Sequence, residues 1–399
     1  MDEPRLIALP PAPDAVELRH LRAFLAVAEE LNFGRAAARL YVSQPALSRQ
    51  IRALERLLGA ELLRRSTHRV ELTLAGEALR PRAEDLLTRL DDAVAATRAV
   101  GGELIGQATR HWSAVRETIG PEAGIQELRD AVETMNARFT VPEEIAVRST
   151  YAGGVPSLVL ARRPDQPTTV LYLHGGGYVL GSAFGYRPLV GAIALAADSA
   201  VVLPDYRLAP EHPFPAALQD ALRAYAWLVE RAPSPGHIVV AGDSSGAGLA
   251  MSLLLSLADE GLPMPGGAAL MCPGIDLTGA LLDPEKGTEM FGHAQRSREL
   301  YLDGHPVDDP IVSPLLADLT GLPPMLVQAA TGDVARREAQ LLVERATAHG
   351  VDARFELYPA DTHQFQVFWS FLPEAAEAVA QVGAFVRDTG DRAGEVRTA

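Results

Sequence analysis

The amino-acid sequence predicts two domains of different fold class: a small all-α domain with a long linker helix, then an α/β domain with a mostly parallel, doubly wound sheet. The 399 residues exceed what one hydrophobic core usually holds and suffice for two. Apolar residues recur at helical spacing between residues 16 and 100, whereas beyond residue 145 short apolar strands alternate with helices. This alternation indicates parallel strands with both faces of the sheet covered.

The charge of the chain is divided unevenly between these domains. Residues 1–100 hold 15 arginines against 14 acidic residues, although the whole chain has 36 basic and 51 acidic residues. Eight of those arginines, with only two glutamates, lie within residues 35–69. Because an acidic surface repels a polyanion, we expect only the N-terminal domain to meet nucleic acid, although a solvated arginine face would explain the count equally well.

Cysteine usage and hydropathy indicate the compartment. The single cysteine, Cys272, excludes an internal disulfide and fits a reducing environment. The chain begins with acidic and proline-rich residues rather than a signal peptide, and no apolar stretch reaches 18 residues. We therefore expect a soluble, cytoplasmic protein that enters no membrane, with a disordered leader over residues 1–15.

Three helices and a basic hairpin are expected within residues 16–76. Asn32 and Ser43 are suited to cap the second and third helices, and Gly59 is suited to end the third. The residues opposite the apolar face at the beginning of the third helix suit insertion into a DNA groove; they are Gln44, Pro45, Ser48, Arg49 and Arg52. The hairpin that follows has the form of a wing and contains Arg65 and Arg69.

A long helix is expected from residue 77 to about residue 100. Apolar or small residues form a heptad seam at positions 79, 83, 86, 90, 93, 97 and 100. Because such a seam suits the pairing of two chains, we assign residues 77–102 to a linker and dimerisation helix and predict a homodimer or higher homo-oligomer. Gly101 and Gly102 mark its expected end, and amphipathic helices are expected over residues 103–144.

Residues 18–76 closely resemble the winged helix-turn-helix of the LysR-type transcriptional regulators, and the long helix resembles their dimerising linker. The match is carried by the segment Asn32–Ile51, whose sequence is Asn-Phe-Gly-Arg-Ala-Ala-Ala-Arg-Leu-Tyr-Val-Ser-Gln-Pro-Ala-Leu-Ser-Arg-Gln-Ile. The resemblance implies that the partner is double-stranded DNA. It also implies base-edge contacts from Gln44, Pro45, Ser48 and Arg49, with backbone contacts from Arg65 and Arg69. The two-lobed sensor domain usual in that family does not follow.

The strands expected in the second domain are Ile145–Ser149, Ser157–Ala161, Thr168–Leu173, Ala200–Leu203, His237–Ala241, Ala268–Met271, Met325–Ala330 and Arg354–Tyr358. The fifth strand leads into a Gly-x-Ser-x-Gly turn and a helix, with Ser244 at the centre of the turn. Glycine at 242 and 246 avoids side chains that would crowd so tight a bend. The turn lifts the serine hydroxyl clear of the backbone and places the Ser245 N–H at a helix N-terminus, where an oxyanion is stabilised. Taken alone, the pattern also occurs in ordinary turns.

A serine on such a turn needs an acid and a histidine from later strands, in that chain order. Asp333 follows the strand Met325–Ala330, and His363 follows the strand Arg354–Tyr358. His363 would take the Ser244 proton as general base, while Asp333 would orient the imidazole and stabilise its charge. Three consecutive glycines at the end of the third strand, from residue 175 to 177, would turn successive N–H groups towards a developing oxyanion.

Residues from about 150 to 387 resemble the hormone-sensitive-lipase-like branch of the α/β-hydrolases, and residues 103–144 resemble its N-terminal helical cap. The matching motifs are Leu171–Gly181, Asp205–Ala217, Gly242–Gly246 and His363-x-Phe365. The resemblance implies an α/β-hydrolase fold over residues 145–390, followed by a tail at 391–399, that hydrolyses small-molecule carboxylic esters without metal or cofactor. It implies oxyanion donors at Gly176, Gly177 and Ser245, and a structural network formed by Asp205, Arg207 and Glu211.

Three hypotheses about function follow. The chain is a DNA-binding regulator whose hydrolase domain is an active serine carboxylesterase of short acyl esters, able to sense or consume its ligand. Alternatively, the hydrolase domain binds a ligand without turnover, which the complete Ser244, Asp333 and His363 set disfavours. In the third hypothesis the chain is an esterase whose N-terminal domain only dimerises, which the groove-facing residues Gln44 and Arg49 disfavour.

Overall fold

A computed structural model describes residues 16–40, 42–65, 70–118, 124–163, 166–281 and 288–398. The leader expected at residues 1–15 lies outside this described part. The chain divides into two compact units, Met1–Gly102 and Glu103–Ala399. Within the described residues, no helix has the length and hydropathy of a membrane span.

The N-terminal unit has the predicted three helices followed by an antiparallel hairpin. Asn32 and Ser43 cap the second and third helices by accepting hydrogen bonds from backbone N–H groups at 3.0 and 3.4 Å, and Gly59 ends the third with φ +66°. Phe24, Ile51 and other apolar side chains of the three helices form one buried cluster. The elements are α1 (Leu18–Glu30), α2 (Phe33–Arg39), α3 (Gln44–Leu58), β1 (Leu63–Arg65) and β2 (Val70–Leu72).

The long helix α4 (Leu74–Thr118) extends further than the sequence predicted. It continues through Gly101 and Gly102, where we expected it to end. Each glycine costs a helix interior about 1 kcal/mol relative to alanine. Beyond the glycines, Ala108 is fully buried in the second unit, and the His111 ring stacks on Phe368 with centroids 5.6 Å apart.

Part of the predicted heptad seam on α4 packs within the N-terminal unit instead of remaining available for a second chain. Ala83 is fully buried in the core of the N-terminal unit, and Leu79 packs against that core. Leu86 is 54% exposed. The side chains at positions 90, 93, 97 and 100 lie outside the described residues. Of the described seam positions, Leu86 is therefore the one available for pairing with a second chain.

The second unit contains the last turns of α4, then α5 (Ile125–Asn136) and an eight-stranded sheet among its described residues. The strands lie in the order β10-β9-β8-β7-β5-β6-β4-β3, in which β3 and β4 run antiparallel to their neighbours and the others are parallel. The elements after α5 are β3 (Ala146–Ala152), β4 (Val155–Ala161), β5 (Thr169–Leu173), α6 (Arg187–Ala197), β6 (Ala200–Pro204), α7 (Ala216–Val229), β7 (Ile238–Asp243), α8 (Ser245–Asp259), β8 (Gly267–Met271), α9 (Thr288–Leu302), β9 (Met325–Ala330), α10 (Arg336–Ala348), β10 (Ala353–Tyr358) and α11 (Pro373–Thr398).

Helices cover both faces of this sheet, as the alternating pattern predicted. One buried cluster lies beneath α7, α8 and α10, and a second lies beneath α6 and α11. The α11 helix continues to Thr398, so the residues expected to form a tail from 391 are helical up to that point. Because β5, β7, β9 and β10 are parallel, their carboxyl ends meet at one edge of the sheet. That edge receives the segments predicted to carry the chemistry.

Candidate active site

Ser244 occupies a strained turn between β7 and α8. Its φ of +50° and ψ of −124° are rare for a residue with a side chain, and such strain persists only where the surroundings enforce it. A Cβ at Gly242 would lie 2.5 Å from the Gly246 carbonyl oxygen, and one at Gly246 would lie 2.1 Å from the Leu173 carbonyl oxygen. Only glycine fits at both positions, as the sequence pattern indicated.

The structure brings Ser244, His363 and Asp333 together at this edge. The Ser244 Oγ lies 2.7 Å from His363 Nε2, and His363 Nδ1 lies 2.7 Å from Asp333 Oδ1. The Asp333 carboxylate also accepts a hydrogen bond from the Ala335 N–H at 2.8 Å. In this geometry the imidazole can take the hydroxyl proton at Nε2 while its other nitrogen faces a carboxylate.

The environment of the pair favours its ionised form. Burial by itself would raise the pKa of Asp333, but the opposite charge and hydrogen bond of His363 outweigh it and lower that pKa. Burial by itself would lower the pKa of His363, but the Asp333 carboxylate outweighs it and raises that pKa. A proton accepted by His363 from the serine is therefore stabilised where it arrives.

The glycine turn, residues 174–178, follows β5 and lies beside the serine turn. Gly176 and Gly177 have φ of +124° and +63°, so their peptide groups adopt directions that a side chain would disfavour. A Cβ at Gly176 would meet the Leu180 carbonyl oxygen at 2.3 Å, and one at Gly177 would meet Ser297 at 3.0 Å. Ser245 is the first residue of α8, so its N–H is among those without an acceptor inside the helix.

Sequence reasoning missed Asp243, the buried residue directly before Ser244. Its carboxylate accepts hydrogen bonds from the Tyr172 hydroxyl at 2.8 Å, the Gly175 N–H at 3.0 Å and the Tyr186 hydroxyl at 3.2 Å. Gln364, next to His363, also donates to it. The carboxylate thus joins the glycine turn to the loop that contains His363 and Gln364. An acidic residue at the end of an otherwise apolar strand was the available signal, because a buried charge requires partners.

Glu338, in the first turn of α10, is a second residue that the sequence analysis missed. Only 4% of it is exposed, and its Oε2 accepts hydrogen bonds from the N–H groups of Ile275 at 2.7 Å and Asp276 at 2.9 Å. The loop so held contains Gly274, whose N–H donates to the Ser244 carbonyl oxygen at 3.0 Å. Burial raises the pKa of Glu338 to about 7. The carboxyl group therefore supports the loop behind the serine.

The residues expected to form one structural network belong to three separate contacts. Asp205 accepts a hydrogen bond from the Ala183 N–H at 2.8 Å. Arg207 pairs with the buried Asp220, with 2.8 Å between Nη2 and Oδ1. Glu211 pairs with Arg129 of α5 at 2.7 Å. All three brace loops at the carboxyl edge of the sheet, but they do so with partners from different elements.

The residues predicted to meet DNA lie in the first unit. Gln44, Pro45 and Arg49 are exposed at the start of α3, and Ser48 beside them is half-buried. Arg65 ends β1, although its side chain lies outside the described residues. Arg69 also lies outside them. The four α3 residues thus occupy the beginning of one helix, as a groove-reading helix requires.

A serine on a strand–helix turn, paired with a histidine at the carboxyl edge of a mostly parallel sheet, defines the α/β-hydrolase class of serine hydrolases. Comparison with protein families agrees with this class. Residues 170–367 match the family described as alpha/beta hydrolase fold, and residues 18–77 match the bacterial regulatory helix-turn-helix proteins of the lysR family.

Individual relatives narrow the class. An acetyl-hydrolase of Streptomyces hygroscopicus is 41% identical over 224 residues, 55% of this chain and 75% of the relative. The carboxylesterase/phospholipase LipF of Mycobacterium tuberculosis is 35% identical over 311 residues, covering 73% and 82% of the two chains. The crystal structure of an esterase from the bacterial hormone-sensitive lipase family aligns with a TM-score of 0.67 and 34% identity, over 73% of this chain and 98% of that one.

The chain belongs to the hormone-sensitive-lipase-like esterases of the α/β-hydrolase fold, which are carboxylic ester hydrolases, and it carries a LysR-type helix-turn-helix at its N-terminus. The resemblances found in its sequence are thereby confirmed for both parts.

Proposed function

We propose that this chain is a LysR-type regulator whose hydrolase domain is a working serine carboxylesterase. The observation that carries the proposal is the continuous hydrogen-bonded chain from Ser244 through His363 to Asp333, with both links at 2.7 Å. A domain retained only to bind a ligand would need neither this geometry nor the strained serine backbone. Ser244 is the proposed nucleophile, His363 the general base and acid, and Asp333 the residue that orients the imidazole.

The reaction then proceeds through an acyl-serine. The Ser244 Oγ attacks the ester carbonyl carbon while its proton passes to His363 Nε2, and the carbonyl oxygen becomes an oxyanion. The N–H groups of Gly176, Gly177 and Ser245 are the proposed donors to that oxyanion. His363 returns the proton to the departing alcohol, and a water molecule, deprotonated by the same nitrogen, then releases the carboxylic acid and restores the serine.

Short acyl esters are the proposed substrate class. The name of the acetyl-hydrolase relative agrees with a small acyl group. Gly177 lies close to Ser297 of α9, with only 3.0 Å between an added Cβ and the Ser297 side chain. The Ser297 side chain therefore lies against the glycine turn.

The proposed partner of the N-terminal unit is a duplex DNA site with two-fold symmetry, read by a homodimer. Exposed Gln44 and Arg49 at the start of α3 support base contacts, and exposed Leu86 on α4 supports pairing of two chains. The proposed location is the cytoplasm, where such a regulator would have access to chromosomal DNA. The pairing surface is assigned to residues 77–102, and wing arginines 65 and 69 are the proposed backbone contacts.

One comparison tests both halves of this proposal. The wild type and the Ser244→Ala variant are assayed for hydrolysis of p-nitrophenyl esters from acetate to octanoate. DNA binding by both proteins is measured with each ester present. We expect hydrolysis by the wild type, with the largest rates for the shortest chains, and loss of most of it in the variant. An inactive wild type that still binds DNA would favour a domain that binds ligand without turnover. An active wild type that binds no duplex would favour a dimerising role for the N-terminal unit.

A further inference from the structure

Arg129 of α5 joins the segment before the sheet to the loops behind the glycine turn. Its Nε donates to the Val179 carbonyl oxygen at 2.8 Å, and its Nη2 donates to the Ala209 carbonyl oxygen at 2.9 Å. The same guanidinium forms a two-pronged pair with Glu211, at 2.8 and 2.7 Å. Only 17% of the Arg129 side chain is exposed.

Both carbonyl groups held by Arg129 belong to segments that are hydrogen-bonded to the glycine turn. The Gly176 carbonyl oxygen accepts hydrogen bonds from the Val179 N–H at 3.2 Å and the Leu180 N–H at 2.9 Å. The Ala209 N–H donates to the Tyr178 carbonyl oxygen at 3.0 Å. A planar guanidinium presents its donors in a fixed fork, so it sets the directions of both carbonyl groups at once.

We propose that Arg129 is a positioning residue of the esterase reaction, which fixes the backbone of the glycine turn so that the Gly176 and Gly177 N–H groups remain aimed at the oxyanion. This inference rests on the proposed function. Glu211 holds the guanidinium in place, and the hydrogen bond from Arg129 lowers the pKa of Glu211 to about 2, so the pair stays ionised wherever the esterase is assayed. Through this contact, α5 sets the shape of a site to which it contributes no reacting group.

The expected effect falls on the chemical step rather than on substrate binding. Donors to an oxyanion act on charge that develops in the transition state, so their misalignment lowers kcat and leaves KM nearly unchanged. Loss of one such donor costs roughly 10²–10³ in kcat. Arg129 acts on the donors at one remove, and we therefore expect Arg129→Ala to lower kcat about 10- to 100-fold, with KM altered less than about threefold.

The test uses the full-length chain, p-nitrophenyl acetate as substrate and an alkyl trifluoromethyl ketone as inhibitor. The Ser244 Oγ adds to the ketone carbonyl carbon, its proton passes to His363 and the carbonyl oxygen becomes an oxyanion, so the affinity of the ketone reports the alignment of the donors. Arg129→Ala and Arg129→Lys are compared with Gln126→Ala, an exposed residue of the same helix that bonds only to Asp130 among the hydrogen bonds described for it. Lysine keeps the charge but lacks the fork.

We expect both Arg129 variants to lose kcat and ketone affinity by similar factors, while Gln126→Ala matches the wild type. Wild-type kcat and ketone affinity in Arg129→Lys and Arg129→Ala would overturn the inference. A rise in KM, or a lower yield of folded protein, with unchanged ketone affinity would also overturn it. Arg129 would then stabilise the fold without positioning the oxyanion donors. If Arg129→Ala does not fold, Arg129→Lys decides. A wild type that neither hydrolyses the ester nor binds the ketone would instead overturn the proposed function, and this inference with it.

Discussion

Replacing Glu338 with glutamine should make the hydrolase domain more stable at alkaline pH relative to the wild type. Glu338 is almost fully buried, and burial raises its pKa from 4.5 to about 7. A raised folded-state pKa means that the carboxyl group contributes its stability below about pH 4.5, and that this contribution is lost as pH rises through 7. The shift corresponds to a loss of about 3 kcal/mol of unfolding free energy between pH 4.5 and pH 8.

Glutamine removes the titration but keeps an oxygen that can accept from the N–H groups of Ile275 and Asp276. The assay is urea unfolding of wild type and Glu338→Gln at pH 5 and pH 8, followed through the transition of the hydrolase domain. We expect the difference between the two proteins to change by about 2.5 kcal/mol in favour of the variant between these pH values. His363 and Asp276 are charged groups that act on Glu338, and both are present in the two proteins.

Glu338→Ala is the matched control, because it removes the titration and also the acceptor. It leaves the buried Ile275 N–H and the partly buried Asp276 N–H without their partner and should therefore be destabilised at both pH values. A difference between wild type and Glu338→Gln that is the same at pH 5 and pH 8 would refute the reasoning. It would mean that the carboxyl group in the folded protein ionises near its ordinary pKa.

Three further predictions concern catalysis, assembly and DNA binding. Because the pKa of His363 is raised above 6.5, kcat/KM for p-nitrophenyl acetate should fall as pH drops through a value above 6.5. Asp333→Asn should shift this fall to lower pH, and an unshifted profile would contradict the assignment of Asp333 as the partner of His363. Leu86→Glu places a charge on an exposed seam position, so light scattering should show fewer dimers than for the wild type, and an undiminished dimer would exclude this surface. Arg49→Ala should cost about 1–3 kcal/mol on a cognate duplex and little on a scrambled one, as measured by fluorescence anisotropy; equal losses on both would remove Arg49 from base reading.

The local pattern of the sequence determined where the elements lie and which segments meet. Met325–Ala330 has the predicted bounds, and every other predicted strand of the sheet agrees with the structure to within three residues at each end. Gly242 and Gly246 predicted the serine turn, because a backbone bend with no room for Cβ atoms requires glycine at those positions. Ser244, Asp333 and His363 each follow a predicted strand, and this predicted that they meet at one edge of the sheet, since parallel strands end on the same side.

The end of α4 is a different case, because the glycine pair that predicted a helix stop is present and the helix nevertheless continues. Gly101 and Gly102 favour a helix stop, yet the helix continues and buries Ala108 in the second unit. The turns that follow bury Ala108 and pack Leu104 against the same core, which opposes the cost of the two glycines. Helix propensity could not weigh those contacts, because their partners are distant in sequence.

Only the tertiary structure decided which groups form hydrogen bonds with the buried ionisable side chains. Asp243 bonds to Gly175, 68 residues away, and Glu338 bonds to Ile275, 63 residues away. Arg129 reaches Val179 and Ala209 across 50 and 80 residues. A sequence shows that a carboxylate or guanidinium in an apolar setting needs hydrogen-bond partners. Backbone N–H and carbonyl groups, however, are alike at nearly every residue, so the sequence does not show which of them will be the partners. The packing of elements distant in sequence decides this.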